Sequence, residues 1–194
     1  MQRVLVDRRV TVPGVAVLIE AMPLAGLVDL VNGWGTTPRL EAGEQDWPYP
    51  PLNRLTGRLG VPLPAEPDTH EAATQVADRL HPVFAAHNAA ERVSLVNQLL
   101  ADSNVRPFLS QPPLDSRACW LVDVPEAGPL AAAAVALRAQ LAAHAPDRLG
   151  TCTGTRCADI YIDASPGGHR RFCSITCQNR ARIANFRSRR ANTT

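Results

Sequence analysis

Residues 152–180 read CTGTRCADIYIDASPGGHRRFCSITCQNR, and four of the five cysteines of the chain stand in them. Cys152 and Cys157 form a C-x4-C pair, 15 residues follow, and Cys173 and Cys177 form a C-x3-C pair. Each pair sets two thiolates on one tight piece of backbone, and a spacer of hairpin length folds the two pairs together, as a tetrahedral zinc ion requires. Thr153, Gly154 and Thr155 suit the first turn. Residues 159–164, then Ser165, Pro166, Gly167 and Gly168, then residues 169–172 read as strand, turn, strand. Ser174 suits the N-cap of a helix that begins just after Cys173. Cys177 then falls in the first helical turn, where the positive end of the helix dipole favours a thiolate. A knuckle, a hairpin and a helix carrying the last ligands predict a small treble-clef-like zinc finger. One structural Zn2+ is expected on Cys152, Cys157, Cys173 and Cys177. Four sulfurs fill the coordination sphere and no Glu stands nearby to act as a base, so a catalytic ion is not expected. Redox disulfides are the alternative, which neither spacing favours.

The surroundings of this motif are basic. Arg170 and Arg171 precede Cys173, and Arg180, Arg182, Arg187, Arg189 and Arg190 follow Cys177. At about 100° per residue, Arg180, Arg187 and Arg190 share one side of a helix and Arg182 and Arg189 another, with Ile183 and Phe186 between them. Guanidinium groups bind phosphate bidentately and read guanine edges, so a zinc-fixed helix carrying them suits the major groove of double-stranded DNA. Only Tyr161, Phe172 and Phe186 supply aromatic rings here, a poor stacking platform for RNA. The alternative has the arginines complement the helix dipole or dock on an acidic surface, with Ile183 and Phe186 anchoring a protein-interaction or dimerisation module.

Charge divides the chain. It has 194 residues and a net charge of +2, and its 20 basic residues are all Arg. Residues 1–147 hold 11 Arg against 16 Asp and Glu, a balance of −5, whereas residues 148–194 hold 9 Arg against Asp159 and Asp163, a balance of +7. A boundary between an acidic body and a basic finger is expected at 147/148. Arg without Lys, in a chain rich in Ala, Pro and Val, fits a GC-rich bacterial genome. At 45% hydrophobic and 20% charged residues the chain can bury a core, which excludes global disorder. Arg138 and Gln140 interrupt the most apolar stretch, 129–145, so a bilayer span is not expected. Asp7, Arg8 and Arg9 before an apolar patch that Glu20 closes make a poor secretory signal, which points to the cytoplasm. No serine elbow, phosphate loop or paired carboxylates appear, and His70, His81, His87 and His144 show no ligand spacing, so no enzyme activity is expected.

The body reads as mostly helical with short strands, giving an α+β fold overall. A β-leaning start over 10–19, broken by Pro13 and Gly14, leads to an apolar segment over 24–31 that Asn32, Gly33 and Gly35 stop. Prolines 38, 48, 50, 51, 62, 64 and 67 predict an ordered surface loop region with a short helix around 52–59. Asp68 with Glu71, and Asn88 with Glu91, mark two helix starts. Their stripes are Ala73, Val76, Ala77 and Leu80, which Pro82 breaks or kinks, and Val93, Val96, Leu99 and Leu100. A hairpin is expected over 105–124 around Gln111, Pro112, Pro113 and Asp115, with Cys119 as a core residue. Pro129 opens an alanine-rich helix with the stripe Leu130, Ala134, Leu137 and Leu141. Asp29, Asn32 and Trp34 are candidates to line a pocket for a small-molecule effector, capping and core packing being the alternative.

Arg171, Phe172, Cys173 and Ser174, followed by Cys177, Gln178, Asn179 and Arg180, resemble the end of a CGNR zinc finger, a bacterial family named for that tetrapeptide. Gln178 stands where the family has glycine. Leu27, Val28, Asp29, Leu30, Val31 and Asn32 are similar to the opening L-x-D-hydrophobic-x-N stretch of the ABATE domain that precedes the finger in that family. The resemblance implies a bacterial stress-induced transcription regulator, with residues 1–147 as an ABATE-like sensor and residues 148–194 as a DNA-binding finger. Because operators are commonly read by dimers, the body is expected to supply a homodimer.

Overall fold

Alanine lets backbones approach closely, and the run AAAAVA at 131–136 marks the centre of the fold. In a computed structural model, residues 16–55, 57–63, 69–110 and 117–191 are described, with side chains to Arg189. Their elements are β1 (Val17–Ile19), α1 (Leu24–Trp34), α2 (Thr36–Ala42), α3 (Thr69–Ala85), α4 (Ala89–Asp102), β2 (Arg106–Leu109), β3 (Ala118–Val122), α5 (Gly128–Ala143), β4 (Leu149–Thr151), β5 (Ile160–Ile162) and α6 (Ile175–Ala191). The fold is α+β and helix-rich. Every residue from Ala131 to Leu137 is buried, whereas Leu130 and Leu141 are half-buried. The expected one-sided stripe therefore gives way to a helix enclosed all round for two turns, packed by α4, α3 and β1. None of the described helices is long and apolar enough to cross a membrane.

α1 runs on to Trp34, so Asn32 and Gly33 lie inside its last turn and Gly35 alone ends it. The first part of the expected loop region is helical. Pro38 occupies the first turn of α2, where a missing N–H leaves no bond unmade, and Gly43 closes the helix at φ 74°. Only a 3₁₀ turn, Leu52–Arg54, forms where a longer short helix was expected. Leu55 and Leu59 are nonetheless fully buried. α3 buries its expected stripe and continues through Pro82 to Ala85. In α4 the stripe turns by one residue: Arg92, Val96 and Leu99 are buried while Val93 is exposed. Arg92 can be buried because its guanidinium donates to the carbonyls of Val83 at 2.9 Å, Ala86 at 3.0 Å and Pro146 at 2.8 Å. Asn88 caps α4 by accepting from the Glu91 N–H at 2.9 Å, and the Glu91 carboxylate reaches back to the His87 N–H at 2.8 Å.

The expected hairpin forms, with Phe108 opposite Cys119, and β1 adds to its other edge in the antiparallel order β1-β3-β2. The half-buried Cys119 thiol donates to the Phe108 carbonyl at 3.6 Å. Asp68, the turn residues Gln111, Pro112, Pro113 and Asp115, and the start of the first strand expectation at 10–15 lie outside the described residues.

Candidate metal centre and nucleic-acid interface

The cysteine motif folds as a knuckle, a hairpin and a helix. Behind β4, the Cys152 N–H donates to the Asp159 carbonyl at 2.8 Å and closes the knuckle. The N–H and hydroxyl of Thr153 both donate to the Arg171 carbonyl at 3.0 Å, which ties the knuckle to the segment entering Cys173. The Gly154 amide points at Cys152 Sγ, 3.4 Å away. A Cβ at Gly154 would stand 3.3 Å from both Cys152 Sγ and Cys177 Cβ, so a larger residue would press on two members of the sulfur cluster. β4 and β5 pair antiparallel, and Gly168, at φ 66°, turns the chain after them with its N–H on the Ser165 carbonyl at 3.3 Å. Asp163 fastens this tip, one carboxylate oxygen accepting from the Ser165 N–H and the other from the Arg170 N–H, each at 2.8 Å. Hydrogen bonds from Ser165 and Arg170 hold its carboxyl down at about 2. Ser174 is the N-cap of α6, its hydroxyl accepting from the Cys177 N–H at 3.2 Å.

These three pieces gather the sulfurs of Cys152, Cys157, Cys173 and Cys177 within 4.8 Å of one another. Cys157 and Cys173 are 3.7 Å apart, and Cys173 and Cys177 are 3.6 Å apart. Four thiolates around zinc at about 2.3 Å place neighbouring sulfurs about 3.8 Å apart, so the donor set fits that ion. Residues 148–190 match the family model of the CGNR zinc finger. No match among curated proteins reaches significance. When bound, a divalent cation here supplies charge neutralisation and folding energy, with all four positions taken by protein. Burial pushes the Cys157 thiol up to about 12 and raises Cys173 as well. At Cys177 burial also opposes the thiolate, but hydrogen bonds from Ser174 and the neighbouring thiols outweigh it and lower the pKa. Gathering thiolates in this space thus calls for a cation, and the first-turn cysteine is the readiest ligand.

The finger is not a separate bead. Leu149 and Ile160 belong to the same hydrophobic core as α1, α3 and α5. Asn32 bonds the Ile160 backbone twice, its amide donating to the carbonyl at 3.1 Å and its oxygen accepting from the N–H at 2.7 Å, as an adjacent strand would. The His81 ring donates from Nε2 to the Ala158 carbonyl at 3.0 Å, next to Cys157. The change of charge at 147/148 coincides with the start of the family match but not with a break in packing. His81, which shows no spacing signal, escaped the sequence reading because its partner lies 77 residues away.

The three effector-pocket candidates take different places. Asp29 pairs with Arg58 at 2.5 Å on the surface. Trp34 is buried in the core with its indole N–H lacking a partner among the described residues. Asn32 alone of the three lines the groove beside α6.

The arginines also divide. The Arg170 guanidinium is turned into the finger, donating to the carbonyls of Phe172 at 2.9 Å, Ile162 at 3.2 Å and Cys173, and lying over the Tyr161 ring. Though exposed, it is tied to the finger's own backbone, unlike Arg171, Arg180, Arg182 and Arg187 among the arginines expected to contact DNA. Arg171, Arg180, Arg182 and Arg187 are exposed, and none makes a side-chain hydrogen bond or ion pair among the described residues. Arg189 is exposed, and the Arg190 side chain lies outside the described residues. α6 leaves the metal centre and projects: every residue from Arg182 to Arg189 is exposed. One face of the helix, with Arg180, Ile183 and Arg187, looks across a groove of about 850 Å³ toward Pro38, Ala42 and Glu44 of the body. Ile175, Ile183 and Phe186 are 75%, 53% and 61% exposed.

Proposed function

We propose that the protein binds double-stranded DNA through α6 and serves as a cytoplasmic bacterial transcription regulator with no catalytic step. The observation that supports this most is the projecting helix itself. It carries four described arginines and no acidic residue, its N-terminal end starts from Cys173 and Cys177, and every residue along its outer half, Arg182 to Arg189, is exposed. A helix of 17 residues is about 25 Å long and, with side chains, about 10–12 Å wide, which suits the major groove. Arg180, Arg182 and Arg187, exposed and without a side-chain hydrogen bond or ion pair among the described residues, favour phosphate and guanine as their ligands. In this reading the ABATE-like body holds the finger through Asn32 and His81, and a small-molecule effector or a homodimer contact acting on the body reaches the helix by the same bonds.

The test is the triple variant R180A/R182A/R187A of the full chain loaded with zinc. It is expected to keep one zinc per chain and to lose at least tenfold in affinity for duplex DNA at low salt. Unchanged affinity would sink the proposal. Truncation at Gly150 is not a clean control, because it would strip Ile160 from the shared core.

A second reading is favoured by the exposed Ile175, Ile183 and Phe186, which suit a protein-interaction or dimerisation module. A mass in solution that drops on Phe186→Asp, in a protein that ignores DNA throughout, would put this reading first.

A further inference from the structure

The faces of α6 differ in chemistry as well as in surroundings. The face toward the body groove presents Arg180, Ile183, Ala184 and Arg187. On the opposite side, Gln178, Arg182, Asn185 and Arg189 follow at i, i+4, i+7 and i+11, within an arc of about 60° at 100° per residue. Arg182, Asn185 and Arg189 are exposed and Gln178 is half-buried at the anchored end. None of the four lines the groove toward the body, so a duplex can approach this side of the helix without meeting α2. These four side chains share one property: each offers two hydrogen-bonding atoms in one plane. That is the chemistry which reads purines in the major groove, Arg across guanine O6 and N7, and Asn or Gln across adenine N6 and N7.

We infer that Gln178, Arg182, Asn185 and Arg189 are the base-reading face of α6 and that they select a short duplex segment marked by adenine and guanine. The inference rests on the DNA-binding reading and deepens it. Eleven residues of helix cover about 16 Å, which is about five base pairs at a rise of about 3.4 Å. Gln178 and Asn185 meet adenines, Arg182 and Arg189 meet guanines, and the purines alternate between the two types along the site. Arg171, near the helix start, and Arg180 and Arg187, on the groove side, are left to meet phosphates, which fixes register without reading sequence. Gln178 gains a meaning here: it stands at the position that is glycine in the tetrapeptide of the finger family, and it adds a reader at the end nearest the metal.

The experiment enriches duplexes from a randomised pool with the zinc-loaded full chain, then compares the enriched duplex with a scrambled one by titration. Wild-type protein is expected to enrich a motif of about five base pairs that carries both adenine and guanine. In R182A/N185A the preference for that duplex over the scrambled one is expected to fall about tenfold or more. In R180A/R187A affinity for both duplexes is expected to fall together, so that the preference stays within about twofold of wild type. A preference that survives in R182A/N185A, one that is lost in R180A/R187A, or a pool that yields no motif despite tight binding would overturn the inference and leave DNA binding standing. Failure of the wild-type protein to bind any duplex at low salt would remove the DNA reading itself.

Discussion

The metal centre joins two unlike arms. The hairpin arm, with Cys152 and Cys157, is sunk in the body: Leu149 and Ile160 are core residues, and Asn32 and His81 hold the backbone beside the second ligand. The helix arm, with Cys173 and Cys177, has neither. Its outer half is exposed on every side, and among the described residues its hold on the rest of the finger comes from the sulfur cluster, from the tie between Thr153 and the Arg171 carbonyl, and from the Arg170 guanidinium on the Phe172 and Cys173 carbonyls. The contrast teaches that burial holds the hairpin, whereas the helix is held at its start by a cluster of four sulfurs placed to bind a metal ion. A largely polar helix is thereby presented to solvent, with Arg180, Arg182 and Arg187 making no side-chain hydrogen bond or ion pair among the described residues.

The largest break of this contrast is expected from Cys177→Ser or from chelation. Structural zinc in such modules contributes on the order of 10 kcal/mol, and an isolated helix of this length is marginal in water. Metal content should fall from one per chain toward zero, and amide protection should vanish over residues 175–191 while residues 160–162 keep theirs. Loss of protection in both segments at once would erase the distinction. Next in size, Ile160→Ala empties part of the shared core and should cost about 2–5 kcal/mol in urea unfolding, whereas Ile183→Ala on the exposed helix should stay within about 0.5 kcal/mol. Similar costs at the two sites would contradict the assignment of the hairpin to the body.

Asn32→Ala sharpens the same comparison. It strands an N–H and a carbonyl of Ile160 and should cost roughly 1–3 kcal/mol, with zinc loosened as a consequence and measurable against a competing chelator. The smallest effect is in acid. The Asp163 carboxyl sits at about 2, below its ordinary 3.8, so its support of the hairpin tip is present above about pH 4 and is lost as pH falls through about 2. Asp163→Asn should remove that part of the acid limb in unfolding monitored against pH and leave stability at neutral pH lower by the bond it forfeits.

Legibility followed the range of the physics. The pairing of the four clustered cysteines, the Ser174 cap and the Asn88 cap were readable because the members of each pair lie within a few residues of one another and geometry fixes the spacing. The turn at Gly168 was readable for the same reason. α2 was not, because a proline in a first helical turn has the same sequence appearance as a proline in a loop. The central helix was recognised but not its burial, since alanines have no sidedness to show which faces are covered. Arg170 looked like its neighbours until the hairpin folded and put carbonyls around it. Asn32 was singled out for polarity near an apolar run, and its work is done on a strand 128 residues later, which no local pattern encodes.

The most direct test of the account is the affinity of the zinc-loaded full chain for a labelled duplex, measured at several salt concentrations beside R180A/R182A/R187A. The expected result is binding at low salt whose logarithm falls linearly with the logarithm of salt. The slope should shrink by about 0.9 for each arginine removed that met a phosphate. An affinity indifferent to salt, or the same slope in both proteins, would contradict a helix that meets DNA through its arginines.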